Sequence, residues 1–188
     1  MPHELEGHAR LDVRPDGRRA LPGPGLGDPG QGRVQRVGRA EITRIRTNHP
    51  GGGWGFCILE NGRKIVYLTD NEIEPPKCTT TPDEFADFSR DADLLVLDAQ
   101  YTPKELAAKR GWGHSSILQA LDLGARAKAK CVALFHHDPE RTDDELDQIG
   151  VESDRWLKTH NPGASVLVSR EGLEFEVGQV PSPETVAR

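Results

Sequence analysis

The stretch that most constrains the fold is ADLLVLDA, residues 92–99. It is short and almost wholly apolar, so it reads as a strand covered on both faces. CVALF, residues 131–135, is a second such run. Between them SSILQALDLGARAKA sets Ile117, Leu118, Leu121 and Ala125 at helical spacing behind a serine cap. A buried strand, an amphipathic helix and another buried strand define an α/β core.

The flanking segments extend that pattern. AEITRIRT, WGFCILE and KIVYLTD read as strands, separated by the turns NHPGGG and NGR. TPDEFADFS reads as a short helix with Thr81 as cap and Pro82 at the first helical position. TPKELAAKR is one or two capped helical turns, and TDDELDQIGVESDRWLKTH is a helix capped by Thr142. ASVLVSREGLEFEV is expected to close the fold as a hairpin. The fold class is therefore α/β, a mixed sheet flanked by helices. Residues 1–38 are dense in Gly, Pro and Arg and lack apolar periodicity, so they are expected to be disordered or irregular. Residues 39–177 carry the domain, and 178–188 form a loose tail.

A formal charge of −6 argues against a broad nucleic-acid-binding face, while leaving room for a small phosphate pocket. No apolar run approaches the ~20 residues that span a bilayer, and the N-terminus lacks the apolar core of a signal peptide. Cys57, Cys78 and Cys131 have no CxxC spacing, which disfavours both a disulfide framework and a thiolate zinc site. A reduced, cytoplasmic protein is the expectation.

Chemistry gathers where strands end. KIVYLTD ends at Asp70, LLVLDA reaches Asp98, and CVALFHH ends at His136 and His137. In α/β sheets ligands sit beyond the carboxyl ends of the strands, so these groups can converge. Singly, each has an ordinary reading: Asp after a strand is often a cap or turn former, and His a hydrogen-bonded loop residue. Coincidence at three strand ends favours a site. His49 lies in a glycine-rich turn, and His114 in GWGHSS precedes a helix N-terminus that favours an anion. Imidazole and carboxylate without thiolate suit zinc or a similar ion. Trp54 and Trp112, beside the glycine turns, are either pocket walls or core.

NHPGGGWGF, VYLTDNE, LLVLDAQYT, GWGHSS and LFHHDPERTDDEL, taken in this order, resemble the metallo-β-lactamase-fold hydrolases. The likeness is to the phosphodiesterase branch related to tRNase Z, and it covers roughly residues 40–177. It implies a partial αββα metallo-β-lactamase sandwich, its C-terminal half. It also implies a metal-dependent hydrolase of phosphodiester small molecules or RNA ends, with two Zn2+ ions, or Mn2+ or Fe2+, as cofactors. By that resemblance His49, Asp70 and His136 are metal ligands, with Asp70 bridging. His114 donates a proton or holds phosphate, Asp98 orients His114, and His137 and Asp138 support the ligands from behind.

The chain departs from the family pattern in one respect: HxHxDH is missing upstream of His49, where only His3 and His8 occur. Two readings follow, a fragment of a longer coding sequence or a short protein that has lost catalysis. Either leads us to expect at most one weakly held metal and little turnover. The alternative function is a non-catalytic module whose uncovered sheet face forms a homo-oligomer. An α/β phosphatase with Asp70 or Asp98 as nucleophile would need a DxD pair, which TDNE does not supply.

Overall fold

The computed structural model describes residues 32–174 and 176–178. Seven strands form one sheet in chain order: β1 (Gln35–Val37), β2 (Ala40–Arg46), β3 (Trp54–Glu60), β4 (Arg63–Leu68), β5 (Leu94–Asp98), β6 (Cys131–Phe135) and β7 (Ser165–Val168). The first four pair antiparallel and the last four parallel, as expected of a mixed sheet. The antiparallel half is built by tight turns; Asn61 and Gly62 both take positive φ between β3 and β4. The parallel half needs crossovers, supplied by α1 (Pro82–Ser89), α2 (Pro103–Lys109), α3 (Ile117–Arg126) and α4 (Asp143–His160).

Each helix starts at a reciprocal capping box: Thr81 with Glu84, Thr102 with Glu105, Ser116 with Gln119, and Thr142 with Glu145. Pro82 and Pro103 occupy first helical positions, where a missing N–H costs nothing. The boundaries are therefore set locally.

The helices cover one face of the sheet. Val66, Leu68, Leu95, Leu97, Val132, Leu134 and Val166 project from alternate strand positions onto Phe85, Leu121, Leu123 and Leu157 of the helices. The opposite face is thinner. Leu94, Cys131, Ala133 and Leu167 form a small cluster there, with Leu173 and Val177 packed against it. Nearer the carboxyl ends of the strands, Phe56, Tyr67 and Phe135 each stay 38% exposed. Phe56 and Tyr67 are register partners, and the Tyr67 and Phe135 rings lie 6.1 Å apart.

Two details differ from expectation. The sheet starts at Gln35, before residue 39, because Gly38 at φ 61° turns a short strand back along β2. The terminal hairpin has only its first arm, β7; the described residues of the expected return arm form no extended strand, and Leu173 and Val177 serve as cover for the thin face. Most of the segment expected to be irregular, residues 1–31, lies outside the described residues, as does 179–188.

Candidate metal centre

The carboxyl ends of β4, β5 and β6 bring together Asp70, Asp98 and His136, and the loop before α3 adds His114. One ligand atom from each of these four lies within 4.8 Å of the others. They form two contacting pairs. His114 Nδ1 meets Asp98 Oδ2 at 2.8 Å, and His136 Nε2 meets Asp70 Oδ1 at 2.9 Å. The two imidazoles stack with centroids 4.7 Å apart and planes inclined by 21°.

In the first pair Asp98 is buried and well supplied with donors, and His114 is half-buried. Besides His114, Asp98 Oδ1 accepts from the Ser115 and Gln100 N–H groups, and Oδ2 from the Asn71 N–H. With the other donors taken up in this way, His114 Nδ1–H is the donor to Oδ2, and Nε2 has no hydrogen-bond partner among the described residues. The hydrogen bond to Asp98 raises the His114 pKa against the opposing pull of burial. Tyr101 lies edge-on to His114, ring centroids 6.1 Å apart, and burial together with nearby carboxylates raises its own pKa.

The Asp70 pair is different in kind. Asp70 (φ 47°) and His136 (φ 58°) both adopt left-handed backbone, uncommon for residues with a Cβ. Asn61, Asp91 and Lys128 share this conformation away from the cluster, so the backbone aims the two side chains and does not by itself mark a site. His136 Nδ1 is buried and has no hydrogen-bond partner among the described residues. A histidine and a carboxylate facing each other at the mouth of a sheet, one with an unsatisfied ring nitrogen, make a donor set suited to a divalent ion. The residues present fit a metal.

The other expected site residues fall around this cluster. The His49 ring stands edge-on to His114 at 5.5 Å, outside the four-residue group. Its Nδ1 accepts from the Gly51 N–H at 3.1 Å, so ligation by Nε2 requires that contact to open and Nδ1 to take the proton. His137 turns away: its Nε2 bonds the Ser169 carbonyl at 3.1 Å, and burial lowers its pKa. Asp138 accepts from Lys109 Nζ at 3.5 Å and from the Glu140 N–H. Among the hydrogen bonds of the described residues, neither His137 nor Asp138 joins His136 or Asp70. His3 and His8 lie outside the described residues.

Sequence reading missed the frame behind the site. Asn48 is saturated: its amide donates to the Glu72 and Thr80 carbonyls and its oxygen accepts from the Thr79 and Thr80 N–H groups. Its own N–H bonds Asn71 Oδ1, which ties the His49 turn to the segment after Asp70. Ser115 Oγ donates to the Asn71 carbonyl at 2.6 Å and accepts from the Ile73 N–H at 3.0 Å. These residues sit inside TNHPGG, TDNE and GWGHSS. Only their adjacency to Asp70, His49 and His114 marked them in the sequence.

Trp54 lies on the uncovered side of the sheet between the Arg44 and Arg46 guanidiniums, 4.0 and 3.9 Å from its ring.

Comparison with known proteins places this geometry in a family. The model of the β-lactamase superfamily domain matches residues 28–137, and the chain belongs to that family. Among curated relatives, ribonuclease Z of Pyrococcus furiosus is 27% identical over 118 residues, 63% of this chain and 33% of the relative. Ribonuclease Z of Thermoplasma volcanium is 33% identical over 85 residues, 45% and 25% of the respective chains. The metallo-β-lactamase-fold protein YhfI of Bacillus subtilis superposes with a TM-score of 0.57 at 22% identity, covering 75% of this chain and 51% of that one. Human tRNase Z, short form, superposes with a TM-score of 0.51 at 18% identity, covering 77% and 46%. The fold is thus a metallo-β-lactamase fold in part. The chain spans a quarter to a third of these ribonuclease Z relatives and about half of the solved neighbours.

Proposed function

We propose that the chain carries part of a metal-dependent phosphodiester hydrolase site. The observation that carries this reading is the convergence of Asp70, Asp98, His114 and His136 within 4.8 Å at the carboxyl ends of three neighbouring strands. Kinship to proteins named ribonuclease Z supports a phosphodiester in RNA as substrate.

In this reading Asp70 and His136 hold the ion, and His49 joins them only after releasing Gly51. A bound zinc ion, or another divalent ion, would polarise a phosphoryl oxygen and lower the pKa of a bound water. His114, its Nδ1 on Asp98, has Nε2 left for acid catalysis and, when protonated there, delivers a proton to the departing oxygen. Asp98 fixes the ring through Nδ1 and stabilises the imidazolium. Loss of its proton to the leaving group returns His114 to the neutral tautomer with Nδ1–H still on Asp98.

No helix among the described residues is long and apolar enough to cross a membrane. We place the reaction in the cytoplasm, consistent with reduced thiols at Cys57, Cys78 and Cys131.

The test is hydrolysis of bis(p-nitrophenyl) phosphate by the full chain with added zinc or manganese. Weak turnover that requires the metal and disappears in His114→Ala supports the assignment. Turnover indifferent to both metal and His114 contradicts it.

A second reading has its own observation, the uncovered aromatic row of Phe56, Tyr67 and Phe135. An apolar sheet face of this kind suits a non-catalytic module that associates with a second copy. A monodisperse monomer on a sizing column counts against it.

A further inference from the structure

Trp112 is the most exposed of the large apolar side chains among the described residues, at 60%. Its loop is nevertheless pinned on both sides. The Gly111 N–H bonds both carboxylate oxygens of Glu72, at 3.0 and 2.8 Å, and the Gly113 N–H bonds Oε2 at 3.1 Å. Glu72 is completely buried. Its main chain is clamped in turn, the N–H on the Asn48 carbonyl and the carbonyl on Asn48 Nδ2. Burying a carboxylate is costly unless charged hydrogen bonds compensate it. Here the compensation comes from the two residues that flank the tryptophan.

The glycines are required by the geometry. Gly111 (φ +86°) and Gly113 (φ +96°) take a conformation that side chains disfavour. A Cβ at Gly113 would lie 2.3 Å from His49 Cδ2 and 2.7 Å from Pro50 Cδ. The Trp112 N–H bonds the Lys109 carbonyl at 3.2 Å. The main chain of the loop is therefore fixed, and it carries an aromatic side chain into water two residues from His114. Next to Gly111 opens a cavity of about 310 Å3 whose walls include His49, Pro50, Pro75, Pro76 and Lys77. The hollow joins prolines to His49 and Lys77, and its lining carboxylate, Glu72, is taken up by the Gly111 and Gly113 N–H groups. An exposed ring on a pinned loop beside such a hollow suits a nucleobase, because every nucleobase offers a π-face to an aromatic side chain.

We propose that Trp112 is a substrate-stacking residue whose indole takes a nucleobase adjoining the phosphodiester presented to His114. Trp112 then gives the site its preference for a nucleotide over an aliphatic phosphodiester; this rests on the phosphodiester assignment above. Glu72 acts through the loop as the positioning residue.

The experiment uses the full chain, with zinc and again with chelator. Binding of the dinucleotide ApA and of glycerophosphocholine is measured by calorimetry for wild type, Trp112→Phe and Trp112→Ala. ApA binding is expected to weaken on the order of tenfold in Trp112→Ala and to survive largely in Trp112→Phe, with glycerophosphocholine unaffected. Glu72→Gln, which keeps the shape of the side chain, is expected to weaken ApA binding while Trp112 remains present. Equal ApA affinity in wild type and Trp112→Ala overturns the proposal, as does equal loss for both ligands or no binding in either condition. A change of oligomeric state in Trp112→Ala without a change in ApA affinity also overturns it, since the indole would then cover another copy. Hydrolysis of bis(p-nitrophenyl) phosphate is scored separately. Stacking without hydrolysis removes only the catalytic reading, and hydrolysis without stacking removes only this one.

Discussion

The two halves of the cluster use the same residue types to opposite ends. Asp98 and His114 sit in a buried setting where three backbone N–H groups complete the carboxylate. Asp70 is exposed and His136 half-buried, both on left-handed backbone, and the buried Nδ1 of His136 has no partner among the described residues. The Asp98 carboxylate is completed by backbone donors, whereas Asp70 and His136 are paired with each other at 2.9 Å without such backing among the described residues. Proton transfer benefits from a fixed, oriented imidazole, and a cation site needs ligands whose lone pairs are still uncommitted. An identical pairing of Asp with His is thus no guide to role; the hydrogen bonds behind it are.

Four variants probe that contrast. Asp98→Ala strands the amides of Asn71, Gln100 and Ser115 together with His114, and should lower unfolding stability by about 3 kcal/mol in urea titrations. Gly113→Ala forces a Cβ into His49 and Pro50 from a positive φ, costing about 2 kcal/mol by the same assay, with the His49 ring resonances displaced. Asp70→Gly should do the reverse in metal-free protein, raising stability by about 1 kcal/mol as the left-handed strain is relieved. A loss of stability in Asp70→Gly comparable to that of Asp98→Ala would erase the distinction between the pairs.

The smallest effect lies behind the Asp98 side. The hydrogen bond from Arg141, with help from the Thr102 N–H, holds Glu105 down at about 2. A carboxylate depressed in the folded state adds stability that is complete above its unfolded value near 4.5 and is lost as pH falls toward 2. Glu105 is 37% exposed, so solvent screening keeps the contribution small. Arg141→Gln should flatten the decline between those two pH values, read from thermal melts across the acid range.

Much of this was legible because its causes are local. Capping Thr81, Thr102, Ser116 and Thr142 and the prolines after the first two write helix starts into four short stretches. The apolar runs at β5 and β6 announced strands buried between layers. The convergence of Asp70, Asp98 and His136 followed from strand ends alone. What sequence could not supply were contacts between loops far apart in the chain. Glu72 reaches Gly111 and Gly113 across some forty residues, and nothing in TDNE distinguishes a buried anchor from a surface glutamate. The orientations of His137 and Asp138 were equally hidden, because adjacency to His136 suggests support that the turn after β6 directs elsewhere. The return arm after β7 also misled, since its alternation suits a paired strand as well as a cover for the thin face.

The central claim is that Asp70 and His136 form a cation site while Asp98 and His114 do not need one. Zinc content per chain after equilibration and desalting, in wild type and in His136→Ala, tests it most directly. The account predicts bound zinc in the wild type, not exceeding one ion per chain, and none in the variant. No zinc in the wild type, or the same zinc in both, would contradict it.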